Sequence, residues 1–281
     1  MNTLLKNFRE ALAAGKCVYG PFMKTADPMF VEAAGLAGFD FAILDMEHGP
    51  VLLQEQQNNI RAAALRGLLP IVRVKDAEEN TIGSVLDIGA MGIQVPQVKN
   101  AEQAKNVVER ARFFPYGMRG VCRFVRAADY TATDRKDYFE ASKDLLVIIQ
   151  LEGEEAIHNI DEILEVKGID ILFIGPYDLS QSLGVPGEVR HPKVVDAIKN
   201  ISEKAKEKGM VVGTFVDEYE SLDFWRSKGI QYLSYSVDVG IFMEGCKEIM
   251  KHVNEFKNPA GGGYSYRLTL TAAADLRKEA A

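Results

Sequence analysis

The amino-acid sequence predicts a single-domain (β/α)8 barrel, on three observations. Eight short apolar runs recur along the 281 residues, starting near residues 18, 41, 70, 93, 146, 170, 211 and 231. Nearly all are separated by stretches with apolar residues at helical spacing, and such alternation builds parallel sheets. The runs are continuously apolar, as expected of strands covered on both faces. Eight units in a chain of this size close into a barrel more readily than they open into a doubly wound sheet. Nothing divides residues 1–257 further. Residues 258–281 open with Asn258 to Gly263 (NPAGGG) and read as a linker and tail, whose end, TAAADLRKEAA, has helical composition.

Residues 1–16 carry charges throughout, with Leu4, Leu5, Phe8 and Leu12 on one side, which predicts an amphipathic helix and not a signal peptide. Cys17 to Met23 reads as a strand. Asp27 is placed to cap a helix from Pro28 through Leu36. Phe39 to Asp45 is the next strand and ends in Asp45-Met46-Glu47-His48-Gly49-Pro50. A helix over Val51–Arg66 leads to the strand Pro70–Val74, and a helix over Asp76–Ile88 leads to the strand Gly92–Pro96. Ala101 to Arg112 is helical. Phe113 to Tyr130, rich in Gly and Arg, is the longest irregular stretch, and residues 131–143 read as helix. Strands at Leu145–Leu151 and Ile169–Ile174 flank a helix carrying Ala156, Ile160, Ile163 and Leu164. They stop at Glu152-Gly153 and at Gly175-Pro176. Helices over His191–Lys208, Tyr219–Lys228 and Ile241–Phe256 alternate with strands Met210–Val216 and Gln231–Val237.

Composition excludes several classes. A net charge of −7 argues against nucleic acid, whose binding needs a basic face. Cys17, Cys122 and Cys246 are odd in number and far apart, so they form neither a disulfide framework nor a metal-ligand pattern, and a reducing cytoplasm fits. No apolar run is long enough to span a bilayer. Neither GxGxxG after a strand nor GxxxxGK[ST] occurs, which disfavours nucleotides.

In such barrels the chemistry lies at the C-terminal ends of the strands. A right-handed crossover brings Glu152 and Asp178, just past the fifth and sixth strands, to one rim. Two carboxylates so placed repel, raise a pKa or share a cation, and oxygen-rich sites suit Mg²⁺ or Mn²⁺. The same rim receives Asp45, Glu47, His48 and Arg73. Singly, each has a plain reading: Arg73 as an ion-pair partner, Asp45 or Glu47 as a helix cap, a strand-end Glu as a solvated group. Their coincidence on one rim points to a metal-assisted enzyme that enolises a carbonyl. Among the histidines, His158 and His252 lie within helices and His191 sits at a helix start, where it reads as a cap. His48 follows a strand on the rim, three residues after Asp45. An Asp that accepts from one imidazole nitrogen makes the other more basic, which yields a general base.

DMEHGP at 45–50, VRV at 72–74, LDIGAMGIQVPQV at 86–98, PYGMRG at 115–120, LEGEEAI at 151–157 and IGPYDLSQSLG at 174–184 resemble the HpcH/HpaI aldolases, in the same order and over roughly residues 5–256. These are class II, metal-dependent pyruvate aldolases on a phosphoenolpyruvate/pyruvate-type barrel. The resemblance implies cleavage or formation of a 4-hydroxy-2-oxo acid, with pyruvate and an aldehyde as partners. It implies Glu152 and Asp178 as ligands of Mg²⁺, Mn²⁺ or Co²⁺, His48 as base with Asp45 behind it, and Arg73 on the oxo and carboxylate oxygens. The segment Gly175, Pro176, Tyr177, Asp178 would hold the substrate, the amides of Tyr177 and Asp178 taking the pyruvate carboxylate. Glu47 and Gln150 would support this set. A cytoplasmic homo-oligomer is implied, a hexamer built as a trimer of dimers with the C-terminal helix exchanged between subunits. Tyr177 stands where many members carry Ala and Cys122 where many carry Gly, which narrows the expected mouth.

Three alternatives compete. A Schiff-base aldolase would use a strand-end lysine, for which Lys75 is nearest, although it reads as a solvated loop residue. Oxaloacetate decarboxylation or citrate-lyase-like cleavage would keep the enolate chemistry, but no basic, Gly-rich stretch suits the phosphates of coenzyme A. A non-catalytic barrel predicts loss of the rim residues, all of which are present. In the irregular stretch, Arg119 reads as structural, while Arg123 and Arg126 fit either a second substrate carboxylate or subunit salt bridges.

Overall fold

The computed structural model describes residues 3–257. Helix α1 (Thr3–Ala13) precedes the first strand, and strands then alternate with helices: β1 (Val18–Met23), α2 (Pro28–Leu36), β2 (Phe41–Asp45), α3 (Leu53–Leu65), β3 (Leu69–Arg73), α4 (Glu79–Asp87), β4 (Gly92–Val95) and α5 (Ala101–Ala111). A 3-10 turn (Arg126–Thr131) and α6 (Arg135–Ala141) lead to β5 (Leu146–Leu151). Then come α7 (Glu154–His158), α8 (Ile160–Leu164), β6 (Ile171–Ile174), α9 (Pro176–Ser182), α10 (Pro192–Glu207), β7 (Val211–Val216), α11 (Tyr219–Ser227), β8 (Tyr232–Val237) and α12 (Asp238–Lys257). The strands form a closed, all-parallel barrel in sequence order, β8 pairing back onto β1.

Most of the expected elements are found within a few residues of their expected ends, and three differ. The helix expected over 131–143 is the shorter α6, and the 3-10 turn falls almost wholly in the stretch expected as irregular. The single helix expected between β5 and β6 is broken at Asn159 into α7 and α8. Pro176–Ser182, to which the sequence reading assigns no element, is the helix α9. Asp27 caps α2 by accepting from the Met29 amide at 2.9 Å, and His191 caps α10 by accepting from the Lys193 amide at 3.2 Å. The tail from residue 258 lies outside the described residues.

Inside the continuous apolar runs the strand period of two still operates. One parity of six strands, β1, β2, β3, β5, β6 and β8 (Phe22, Phe41, Ile43, Leu69, Ile71, Leu146, Ile148, Ile171, Phe173, Tyr232), forms the cluster in the bore. The other parity (Ala42, Leu44, Val72, Ile93, Val147, Ile149, Leu172, Ile174) packs under the helices. Phe41 and Tyr232 stack at 4.1 Å between centroids and 13° between planes. They fit because the strands beside them carry glycine: a Cβ on Gly20 would meet the Phe41 carbonyl oxygen at 2.1 Å, and one on Gly213 would meet the Tyr232 ring at 2.5 Å. Leu5, Phe8 and Leu12 of α1 join the same bore cluster from the N-terminal end of the barrel. Arg9 pins that helix, donating to Asp170 at 2.7 Å and to the Asp144 carbonyl at 2.8 Å.

The chain divides into two compact units, Met1–Gly240 with the barrel and a second that starts at Ile241. The second unit is described through α12, on which Ile241, Phe242, Met243, Ile249 and Met250 are exposed.

Candidate active site

The parity that fills the bore with hydrocarbon turns polar at its C-terminal end. Two residues past Ile43 stands Asp45, two past Ile71 stands Arg73, two past Ile148 stands Gln150 and two further Glu152. The register fixes their level, since Asp45 pairs with Arg73 across β2 and β3, and Arg73 with Gln94 across β3 and β4.

Asp45 is fully buried and Arg73 nearly so. Arg73 donates from Nε to Asp45 Oδ1 and from Nη2 to Oδ2, both at 2.8 Å, a bidentate pair. Oδ1 also accepts from the amides of Glu47 (3.0 Å) and His48 (3.3 Å), which winds the chain into a turn. Gly49 closes that turn, because a Cβ there would meet the Asp45 carbonyl oxygen at 2.2 Å. This corrects one expectation. The Asp45 carboxylate is committed to Arg73 and to backbone amides rather than to the His48 ring, so the three-residue spacing reflects a turn. The acid beside the imidazole is Glu47, whose Oε2 lies 4.0 Å from His48 Nε2 and 2.9 Å from Arg73 Nη1. His48 itself stands at the rim with its side chain 60% exposed. Burial pushes the Glu47 carboxyl above its usual range, against the pull of Arg73 and His48 and with the help of Asp45 and Asp178.

Glu152 follows β5 and is 9% exposed. Burial, then the charges of Glu47 and Asp178, raise its pKa to about 7. Its Oε1 accepts from the Gln97 amide at 3.3 Å, and Gln97 holds φ at +56°, a left-handed backbone that a non-glycine residue adopts at some cost. Gln150 also bonds Glu152 and in turn accepts from Gln94 Nε2 at 2.6 Å. Gly175 lets β6 approach this acid, as a Cβ there would come within 3.1 Å of Glu152 Cγ. Immediately afterwards Pro176 starts α9, and Tyr177 and the exposed Asp178 lie in its first turn. The Tyr177 hydroxyl donates to Asp217, just past β7.

The sequence-predicted residues therefore meet at one end of the barrel, with Glu47, Glu152 and Asp178 close enough to perturb one another. Gln94, the Gln97 amide and Asp217 are additions. Gln94 was legible as a polar residue within an apolar strand, whereas the other two depend on loop geometry. Arg119 is structural as expected, paired with Asp87 at 2.7 Å and lying 4.8 Å from the Phe113 ring. Arg123 donates to the Thr133 carbonyl at 2.9 Å, and Arg126 packs over Gly89, ahead of β4 and at the end of the barrel opposite the acids. Lys75 is exposed. A cleft of about 1070 Å³, lined by Arg9, Asp170 and Lys199 among others, lies at that opposite end and contains none of the rim acids. Among the described residues no group of three His, Cys, Asp or Glu is preformed as a metal cage. An all-oxygen pair of carboxylates with a third acid beside it does fit Mg²⁺ or Mn²⁺, which take one or two carboxylates and complete their shell with substrate and water.

A closed parallel barrel with an arginine, a histidine and clustered acids at its C-terminal mouth defines a (β/α)8 enzyme acting on a small oxygen-rich substrate. The family model for HpcH/HpaI aldolase/citrate lyase matches residues 19–245. The 2-keto-3-deoxy-L-rhamnonate aldolase of Escherichia coli strain K12 is 32% identical over 259 residues, 92% of this chain and 97% of that protein. The crystal structure of an HpcH/HpaI aldolase/citrate lyase family protein from Burkholderia cenocepacia J2315 superposes with a TM-score of 0.84 at 30% identity, covering 90% of this chain and all of that one. The citrate synthase SbnG superposes with a TM-score of 0.80 at 30% identity, covering 89% and 98%. The chain belongs to the HpcH/HpaI aldolase/citrate lyase family and is a carbon–carbon lyase.

Proposed function

We propose that this protein is a class II aldolase that cleaves or forms a 4-hydroxy-2-oxo acid, exchanging it with pyruvate and an aldehyde. The observation that carries the reading is the convergence of Glu47, Glu152 and Asp178, the Glu152 pKa being driven to about 7 by its burial and its neighbours. Glu152 and Asp178 would hold a divalent cation, Mg²⁺, Mn²⁺ or Co²⁺. Such an ion supplies Lewis-acid polarisation of the 2-oxo group when bound.

The chain's own groups do the rest. Arg73, immobilised by its bidentate bond to Asp45, is a preorganised donor toward the oxygen on which charge develops. Its remaining terminal nitrogen faces Glu47, so Glu47 positions both the guanidinium and, across 4.0 Å, the imidazole. His48, at the rim and accessible, takes the proton of the C4 hydroxyl as the C3–C4 bond breaks and returns one to the methylene carbon of the enolate, giving pyruvate. The first turn of α9, Gly175 to Asp178, receives the carboxylate through the amides of Tyr177 and Asp178. Gln150 and the Gln97 amide hold Glu152 in place.

2-Keto-3-deoxy-L-rhamnonate, named for the Escherichia coli relative, is a 2-oxo acid of this class and the first substrate to assay. The likeness to a citrate synthase keeps one second reading, decarboxylation or condensation of oxaloacetate at the same site, which an assay with oxaloacetate separates. A homo-oligomer, a hexamer in this reading, would cover the apolar residues exposed on α12. The free cysteines Cys17, Cys122 and Cys246 suit a cytoplasmic setting. Chelation with EDTA is expected to abolish cleavage and Mg²⁺, Mn²⁺ or Co²⁺ to restore it. Undiminished turnover in chelator would overturn the assignment.

A further inference from the structure

A run of rings leads from the catalytic arginine to the mouth of the barrel. The Arg73 guanidinium lies 4.6 Å from the centroid of Phe22 on β1. Phe22 packs against Phe215 of β7 at 5.9 Å, and Phe215 against Tyr177 at 6.1 Å. Tyr177 is the outermost ring and 42% exposed. Its position is fixed at both ends: the backbone sits in the first turn of α9 beside Asp178, and the hydroxyl donates to Asp217 just past β7. The side chain therefore bridges the mouth between β6 and β7.

The phenol hydroxyl is spent on Asp217, to which it donates. What it offers a substrate is the face and edge of a ring. With the carboxylate of the 2-oxo acid held by the amides of Tyr177 and Asp178 and its oxo group at Arg73, a group on C4 that leaves by this side of the mouth passes the ring. We propose that Tyr177, braced by Asp217 and Phe215, is a specificity-determining residue that limits the size of the aldehyde, favouring short chains over long ones. Rotation of the ring away from the mouth would break the bond to Asp217, so the limit is held by that bond as well as by bulk.

This inference rests on the aldolase reading, and the experiment separates the two. Exchange of pyruvate methyl protons with deuterium, followed by NMR in wild-type protein with Mg²⁺ or Mn²⁺, tests enolisation without any aldehyde. Pyruvate is then condensed with propanal and with hexanal, and the ratio of the two kcat/KM values is taken within each protein, so that a general loss cancels. Removing a ring from a binding wall changes such a ratio by about tenfold or more. The hexanal-to-propanal ratio is expected to rise by about that factor in Tyr177→Ala and by less in Tyr177→Phe and Asp217→Ala, which keep the ring and lose its anchor. A ratio that stays within about twofold of wild type in Tyr177→Ala, with exchange intact, overturns the inference. If Tyr177→Ala does not fold, Tyr177→Leu and Asp217→Ala carry the same comparison with the same criterion. Wild-type protein that fails to exchange pyruvate protons refutes the aldolase reading, and this inference with it.

Discussion

Replacing Glu152 by Gln in the metal-free protein isolates the electrostatic cost of the site. The native carboxyl is raised from 4.5 to about 7, first by burial and then by Glu47 and Asp178. A folded-state pKa above the unfolded one means that the folded chain holds the proton longer. Its stability is complete below about pH 4.5 and declines as pH climbs toward 7, beyond which the deficit is constant. A shift of about 2.5 units at about 1.4 kcal/mol each sets that deficit at about 3.5 kcal/mol. Glu152→Gln keeps a carbonyl oxygen to accept from the Gln97 amide and has no charge to bury. Urea unfolding in EDTA should find the two proteins similar near pH 5 and the Gln variant ahead by up to about 3.5 kcal/mol at pH 8. Mn²⁺ at about a thousand times its Kd should reverse the order, since it then adds about 4.1 kcal/mol to the protein that binds it. Parallel stabilities of the two proteins across pH 5–8 would refute the reasoning, because Glu152 would then not be a strained acid at all.

Two further outcomes follow from the same geometry. Gly175→Ala places a methyl 3.1 Å from Glu152 Cγ and so displaces the carboxylate. Calorimetric titration should record a drop in divalent-cation affinity of about 10–100-fold, with the fold intact by circular dichroism. His48→Gln alters a side chain that is 60% exposed, so unfolding should shift by no more than about 0.5 kcal/mol. Its aldol cleavage rate should fall by about 10²–10⁴-fold if the imidazole moves the proton.

The barrel was legible because parallel strands sheathed by helices on one side and core on the other are apolar on both faces, and eight such runs stand out from the helices between them. That same continuity concealed the parity of each strand: nothing in LLVIIQLE says which residues face the bore until the register is known. The acids and Arg73 could be assigned to the rim from strand ends alone. Their bonding could not. Asp45 and His48 suggested a local dyad, whereas the partner of Asp45 is Arg73, on the neighbouring strand and aligned with it by β-pairing. Helix α9 escaped notice because Gly-Pro reads as a stop, although Pro at the first position of a helix is favourable. The left-handed residue Gln97 and the span from Tyr177 to Asp217 are products of loop closure, for which no periodic pattern exists.

Because only alternate residues of a strand look into the bore, the chemistry of this mouth is quantised. A reactive group can climb or descend its strand only by two residues, about 6.6 Å, since a single step would turn it outward beneath the helices. Distances finer than that rung are set by side-chain length. Gln150 and Glu152 are successive rungs on one ladder, whereas Glu47 lies in the turn past the last rung of β2, and exchanging Asp for Glu on a rung is the small adjustment left for placing an oxygen.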